Sequence, residues 1–398
     1  TDKDAMKNAR VYSGTPSVDN IDMGASELQR EAQTAPSVNL KISGSYRTGQ
    51  VLTASYEYSD VENDIESGTS YQWYVANDAS GNGKTAISGA TSITYTIAEV
   101  DLNKYISFEV IPDDGFSDVL EDPTKSDWIK INAPIAMDAN NTLYVNKNIS
   151  GGNVSGNSWS NAMPSLAEAV EWAHQNRNES LWDASTPLQI WVAKGIYTPA
   201  YSPIDGSNYT DGGRDNTFLL VKNVKLHGGF SGNEANLSDR GTGGTPTILS
   251  GDIGTDADST DNAYHVVVSA NTVEQVLVEG FVIKEGNANG STGITVNGKT
   301  IYQNSGSGIY NYSSSPVIKN VLITDNTATY GGGGVVNITS SAKYINVTIS
   351  SNTAALGGGM YNDLSSSPKI YNTLLLGNTA TTDPGIYTNT TNSTPDIQ

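Results

Sequence analysis

Between residues 306 and 398 the chain repeats itself in three registers at once. The segments GSGIYN (306–311), GGVVN (333–337), GGMYN (358–362) and PGIYT (384–388) place Ile309, Val335, Met360 and Ile386 at steps of 26, 25 and 26 residues. SPVIKN, SAKYIN and SPKIYN end on Asn320, Asn346 and Asn372, each 26 apart. ITDNTA, ISSNTA and LLGNTA put Asn326, Asn352 and Asn378 at the same interval of 26. Each unit holds three short β-prone pieces separated by Gly, Asn or Ser-Pro turns. A period in the twenties is the mark of a solenoid. Leucine-rich repeats share such periods, but the Leu spacing they need is missing here. The pattern therefore predicts a parallel β-helix with three strands per coil. Its coils would stack about 4.8 Å apart, with like residues above like.

Stacking gives the asparagines a purpose. A side-chain amide carries two donors and an acceptor, and a copy one coil away can satisfy some of them. Asn also accepts left-handed backbone geometry at a corner. Asn320, Asn346, Asn372, Asn326, Asn352 and Asn378 are thus expected to form structural ladders. Ile309, Val335, Met360, Ile386, Ile323, Ile349 and Leu375 are expected to point inward. The run Gly331–Gly334 would serve a corner where a Cβ obstructs the bend.

These paired words resemble the GGA(I/L/V) and FxxN repeats of chlamydial polymorphic outer membrane proteins. They are also similar to repeats of large secreted bacterial proteins in the pectate-lyase-like β-helix superfamily. Gly or Ser stands before the apolar residue here, and Ile or Leu replaces the usual Phe. The resemblance implies a right-handed parallel β-helix in a secreted or cell-surface protein.

Upstream, LYVNKNISGGNVSGNSWSNAMPSLAEAVEWA (143–173) resembles the opening of many such secreted β-helices. SLAEAVEWAHQ reads as an amphipathic helix over 165–176, with Ser165 as N-cap and Glu168 completing a capping box. Leu166, Ala169, Val170 and Ala173 form its apolar stripe. It would cap the first coil, whose bare strand edge could otherwise pair with another chain. IWVAKGIYTP, NTFLLVKNVKLHGGF and VLVEGFVIKEGNA follow as less regular coils. They are interrupted by loops around 200–215, 231–263 and 289–305, and loops on a rigid scaffold often carry binding. The β-helix is thus expected over 135–398.

Residues 36–134 are expected to form an Ig-like β-sandwich. LTASYEY, YQWYV, SITYTI and KYISFEV alternate as strands do. The segment resembles bacterial Ig-like modules, with Trp73 in the strand-C position and Asp101 with Tyr105 suggesting a tyrosine corner. Ser107 stands where an antibody domain has Cys. Residues 1–35 read as the tail of a preceding module or a linker. SVDNIDMGASELQ (17–29) resembles the D-x-G-A-x-E close of secreted β-helices, while STPDIQ begins another coil. The chain is therefore expected to be a slice of a longer modular array.

Composition narrows the partners. A net charge of −20 disfavours nucleic acid. No run approaches 18 apolar residues and no basic amphipathic helix is present, so direct membrane insertion is not expected. With no Cys, thiolate metal sites and Cys nucleophiles are excluded.

Candidate chemistry is sparse. Enzymes of the β-helix superfamily need carboxylate pairs, or Ca²⁺ with a basic residue, meeting on one face. Residues 306–398 contain no His, Arg or Glu, and Asp325, Asp363 and Asp383 fall in three different registers. Asp252, Asp256, Asp258 and Asp261 in GDIGTDADSTDNAYH could supply oxygen ligands to calcium, although EF-hand spacing is not met. The plainer reading is a hydrated acidic loop. His227, Arg240 and His265 flank that loop and complete the only catalytic cluster the spacing allows. Asp60, Asn63 and Asp64 in SDVENDIE could supply a second calcium site; the plainer reading is a polar turn. Tyr310, Tyr361 and Tyr387, with Val336 between, each follow an inward residue, so alternation turns them outward. Such a row could stack on sugar rings or simply pack across strands.

Two functions follow. The first is a non-catalytic, adhesin-like structural protein, a stiff rod that meets glycans, other surface proteins or copies of itself in a filament, with no cofactor beyond calcium. The second is a polysaccharide lyase or glycoside hydrolase.

Overall fold

The computed structural model describes residues 34–115, 123–205, 210–241, 246–272, 275–389 and 392–398. The segment 17–29 and its resemblance lie outside the described residues. By its internal contacts the chain divides between Asn132 and Ala133 into two units.

The first unit is an antiparallel Ig-like sandwich. One sheet pairs Ser37–Ser43 with Val51–Ser59 and that strand with Thr94–Thr96. The other is centred on Ser70–Ala76 and Tyr105–Ile111, with Thr85–Ala86, Thr124–Lys125 and Ile129–Lys130 at its edges. Alternation sends Ile106, Phe108 and Val110 inward, where each is at most 1% exposed. Trp73 is fully buried, with its ring 4.8 Å from that of Phe108 and its indole N–H donating to Ser92 O at 2.8 Å. The corner is built differently from the expectation. Buried Asp101 accepts the hydroxyl of Tyr95 at 2.6 Å and the amide of Ala98 at 2.9 Å. Tyr95 comes from the preceding strand, whereas the expected corner was built on Asp101 and Tyr105.

The second unit is a right-handed parallel β-helix. Its first sheet has eight strands in chain order, from Thr142–Val145 through Leu188–Ala193, Val224–Phe230, Val276–Glu279, Val317–Lys319, Lys343–Ile345 and Lys369–Tyr371 to Asp396–Ile397. Two six-stranded sheets complete the coil. One runs from Gly195–Tyr197 to Leu374–Leu376, the other from Phe218–Leu219 to Ile386–Thr388. A fourth, short sheet begins at Asn287–Ala288 and fills the corner that three strands would leave. Register repeats coil by coil: Ile309 pairs with Val335, Val335 with Met360 and Met360 with Ile386. The core is one continuous apolar column holding Ile309, Val335, Met360, Ile323 and Ile349, with Ile386 and Leu375 packed against it.

The helix Leu166–Gln175 belongs to that core through Leu166, Ala169, Val170 and Ala173. Ser165 caps it by accepting the Glu168 amide at 3.1 Å. That bond satisfies one of the four amides that a helix start leaves without a partner.

Candidate functional site

The columns of polar side chains come first, because they decide what the coils can do. Asn326 and Asn352 are fully buried. Asn326 Nδ2 donates to Asn352 Oδ1 at 3.0 Å, and Asn352 Nδ2 donates to Asn378 Oδ1 at 3.0 Å. The second column stands at left-handed corners, with φ of 52°, 52° and 43° at Asn320, Asn346 and Asn372. Its members are exposed and still joined, Asn346 donating to Asn320 Oδ1 at 3.2 Å and Asn372 to Asn346 Oδ1 at 2.7 Å.

A third column escaped the repeat analysis. Asn311, Asn337 and Asn362 are fully buried; Asn311 donates to Asn337 Oδ1 at 3.0 Å, and Asn337 to Asn362 Oδ1 at 2.9 Å. The buried Tyr344 hydroxyl donates to the same Asn337 oxygen at 3.0 Å. A serine column beside it links Ser314, Ser340, Ser366 and Ser393 through amide-to-hydroxyl bonds of 3.0–3.1 Å. All these groups are neutral and each column is bonded from coil to coil, with Asn311 Oδ1 and Asn362 Nδ2 left unpaired at the ends of theirs. They hold coils in register and offer no proton to move.

The tyrosine row is corrected by the structure. Alternation does turn Tyr310, Val336, Tyr361 and Tyr387 away from the coil interior, but Tyr310 and Val336 are 0% exposed and Tyr361 is 3% exposed. The insertion after Ala288 folds into an antiparallel hairpin, Gly293–Val296 with Lys299–Tyr302. Its Ile294, Val296 and Ile301 join Tyr310, Val336 and Tyr361 in a second apolar cluster outside the coil. Only Tyr387, stacked on Tyr361 at 5.6 Å, stays half-buried. A covered row cannot stack on sugars; it packs.

The densest charge cluster sits on the outer face of the first sheet. Strand register aligns Tyr144, Trp191, His227, Glu279 and Lys319 in one row. Phe230 stacks on Trp191 at 4.7 Å, and Trp159 lies against Phe230 and Tyr144. Within this cover His227 is 2% and Glu279 5% exposed. Glu279 Oε2 accepts from His227 Nδ1 at 3.1 Å and from Arg240 at 3.0 Å. Its Oε1 accepts from Lys319 Nζ at 3.0 Å and Asn320 Nδ2 at 3.2 Å.

Those donors, His227 foremost, hold the Glu279 carboxyl well below the usual carboxylate range against the opposing effect of burial. Burial pushes His227 down, so its ring is neutral with the proton on Nδ1 facing Glu279. Both groups are buried and face one another, so neither is presented to a substrate as a general acid or base would need to be. The arrangement is a buried ion network. Sequence reasoning found His227 and Arg240 but missed Glu279 and Lys319, whose register depends on coil lengths that insertions alter. His265 does not join them. Its Nδ1 lies 3.1 Å from Gly306 O, its ring meets Tyr310 edge-on at 5.3 Å, and burial lowers its pKa to about 4.

The aspartates of the 251–265 loop serve the loop itself. Asp252 accepts the Ala257 amide at 3.1 Å, Asp261 the Thr255 amide at 2.7 Å, and Asp258 the Thr260 amide at 2.9 Å. Asp256 is exposed. Asp60 likewise accepts the Asp64 amide at 2.9 Å across Asn63, whose φ is 64°. Among the described residues no group of three or more His, Cys, Asp or Glu is placed to hold a metal ion.

Described residues of the β-helix unit line two polar clefts. One, of about 300 Å³, is lined by Asp252, Asn262, Glu285 and Asp325. The other, of about 500 Å³, lies at the end of the capping helix and is lined by Arg177, Lys222, Asn271 and Asn297. Among the described residues no helix is long and apolar enough to cross a membrane. No protein-family model matches the chain, and neither a curated protein nor a solved structure matches it.

Proposed function

We propose that this chain is a structural module of a secreted or cell-surface protein, in which the β-helix holds insertions that contact glycans or neighbouring proteins. One observation carries the reading. The Asn and Ser side chains inside the regular coils are spent on ladders between coils, and among the described residues of the β-helix the acid–base cluster around Glu279 is buried and internally paired. A lyase or hydrolase of this architecture would need those charges in an open groove, free to meet substrate.

Adhesion and filament formation fit the same reading, because a scaffold of repeated register can be extended without new design. The test is incubation of the purified chain with a broad panel of acidic and neutral polysaccharides. No product above a heat-treated blank is expected. Sustained release of reducing ends or unsaturated sugars would overturn the proposal.

A further inference from the structure

The hairpin Gly293–Val296 with Lys299–Tyr302 roofs the outward row of Tyr310 and Val336. A second outward row has no such cover among the described residues. It lies on the sheet that runs from Gly195–Tyr197 to Leu374–Leu376, where strand register sets Ile196, Ile248, Val282, Leu322, Thr348 and Leu374 in one column. The residues that follow four of them, Leu249, Ile283, Ile323 and Ile349, are fully buried, so alternation turns the column outward. Ile196 is 46% and Leu374 52% exposed, and the four between are partly exposed. None of the six joins an apolar cluster of the described residues.

Charge thins out on this face. The chain carries 42 acidic residues against 22 Lys and Arg. The next outward column holds Ser250, Lys284, Thr324, Ser350 and Leu376, and Lys284 is ion-paired with Glu285 at 2.7 Å. On the other side runs the neutral ladder of Asn320, Asn346 and Asn372. Two copies of so acidic a chain repel one another over most of their surfaces, and least where such a strip lies. The strip also repeats at every coil, about 4.8 Å apart. A second copy has the same interval, so a fit made at one coil is made at all of them. A partner without that repeat matches only locally.

We infer that this strip is a docking surface for a second copy of the chain, packed face to face with both coils pointing the same way. A two-fold axis along the coil direction sets each residue of the column on its own counterpart. It also lays the edge of one copy that carries Glu285 and Asp325 against the Asn320 edge of the other, so acid does not face acid. Six strands make the strip about 24 Å long, and its two outward columns cover on the order of 250 Å² per copy. That is well below the roughly 800 Å² per partner of a stable interface. A single pair is therefore weak, half-associated near about 0.1–1 mM, and gains strength where copies are held close together. The inference extends the reading of a structural module and rests on it, but self-association and product release are measured separately.

The test is sedimentation equilibrium of the full chain at concentrations up to about 1 mM. A monomer–dimer equilibrium is expected, tightening as NaCl rises from about 0.05 to about 0.5 M because the net repulsion is screened. Leu374→Lys lowers the net negative charge, so it would strengthen any association that repulsion alone limits. Here it sets lysine on lysine and is expected to weaken the dimer at least about ten-fold, with an unchanged melting midpoint because the side chain is exposed. The chain has no cysteine, so Ile196→Cys and Leu374→Cys report the arrangement. Each variant is expected to oxidise to its own disulfide dimer, and a mixture of the two to give little mixed disulfide. A monomer at about 1 mM, a dimer loosened by salt, a dimer unchanged by Leu374→Lys, or mixed disulfide as the main product would overturn the inference.

Discussion

Asn352 Oδ1 accepts two N–H groups from the coil before it, the backbone amide of Asn326 at 3.1 Å and the Asn326 side-chain amide at 3.0 Å. Asn352 makes the same pair of bonds to Asn378, while its own Nδ2 also reaches Ile323 O and Ser350 O. One side chain thus satisfies backbone and side-chain groups on both neighbouring coils.

Asn352→Ala removes an acceptor from two buried donors and a donor from three carbonyl oxygens. A loss of about 3 kcal/mol is expected, since each buried polar group left unpaired costs roughly 1–3 kcal/mol. Asn346 provides the contrast, being exposed and left-handed. Asn346→Gly keeps the backbone geometry available and should change stability by no more than about 0.5 kcal/mol. Urea unfolding of both variants checks the difference.

Glu279 is the centre on which four cationic or polar groups depend, His227, Arg240, Lys319 and Asn320. Glu279→Ala should cost about 3–5 kcal/mol, because it leaves the partners of a buried ion pair without a counter-charge. Lys319, with 43% of its side chain exposed, should cost under about 1 kcal/mol when changed to Ala. Equal losses in thermal or urea melts would contradict the network described.

Acid should destabilise the fold before carboxylates titrate. Burial lowers His174 and His265 to about 4 and also lowers His227. Below an unfolded value of about 6.5 the unfolded chain therefore binds protons that the native chain refuses, and stability falls as pH drops toward 4. Glu171 works the other way. Burial and then the charge of Glu168 raise it to about 7, so between pH 7 and about 4.5 the native state binds that proton preferentially. Glu171→Gln removes this opposing contribution, and its stability should fall more steeply than wild type between pH 7 and 5. Parallel pH profiles would contradict the assignment.

Glycine packing gives a further contrast. A Cβ on Gly334 would lie 2.6 Å from Gly359 O and 2.9 Å from the Ile349 side chain, whereas one on Gly385 meets nothing within 4 Å. Gly334→Ala should cost about 1–3 kcal/mol through overpacking. Gly385→Ala should be nearly neutral in the same melt.

Much of the β-helix was legible because the information is local and periodic. A 26-residue interval places Ile309, Val335, Met360, Asn326 and Asn352 without any knowledge of distant contacts. The Asn311 column stood in the same words and follows from alternation, since Asn311 is two residues beyond inward Ile309. What sequence could not supply was cover from elsewhere in the chain. Tyr310 does turn outward, but the hairpin at 293–302 comes back over it. Glu279 gathers His227, Arg240 and Lys319 from coils of unequal length, so no fixed spacing announces them. Asp101 likewise takes its phenol from Tyr95 because sandwich packing brings that strand closer than Tyr105.

The most direct measurement is solvent exchange of assigned Asn side-chain amide protons by NMR. If the coils are locked by inter-coil columns, the Nδ2 protons of Asn326, Asn337 and Asn352 should exchange as slowly as the backbone amides of their own strands, and those of exposed Asn346 far faster. Exchange of the buried amides at the rate of Asn346 would contradict the account.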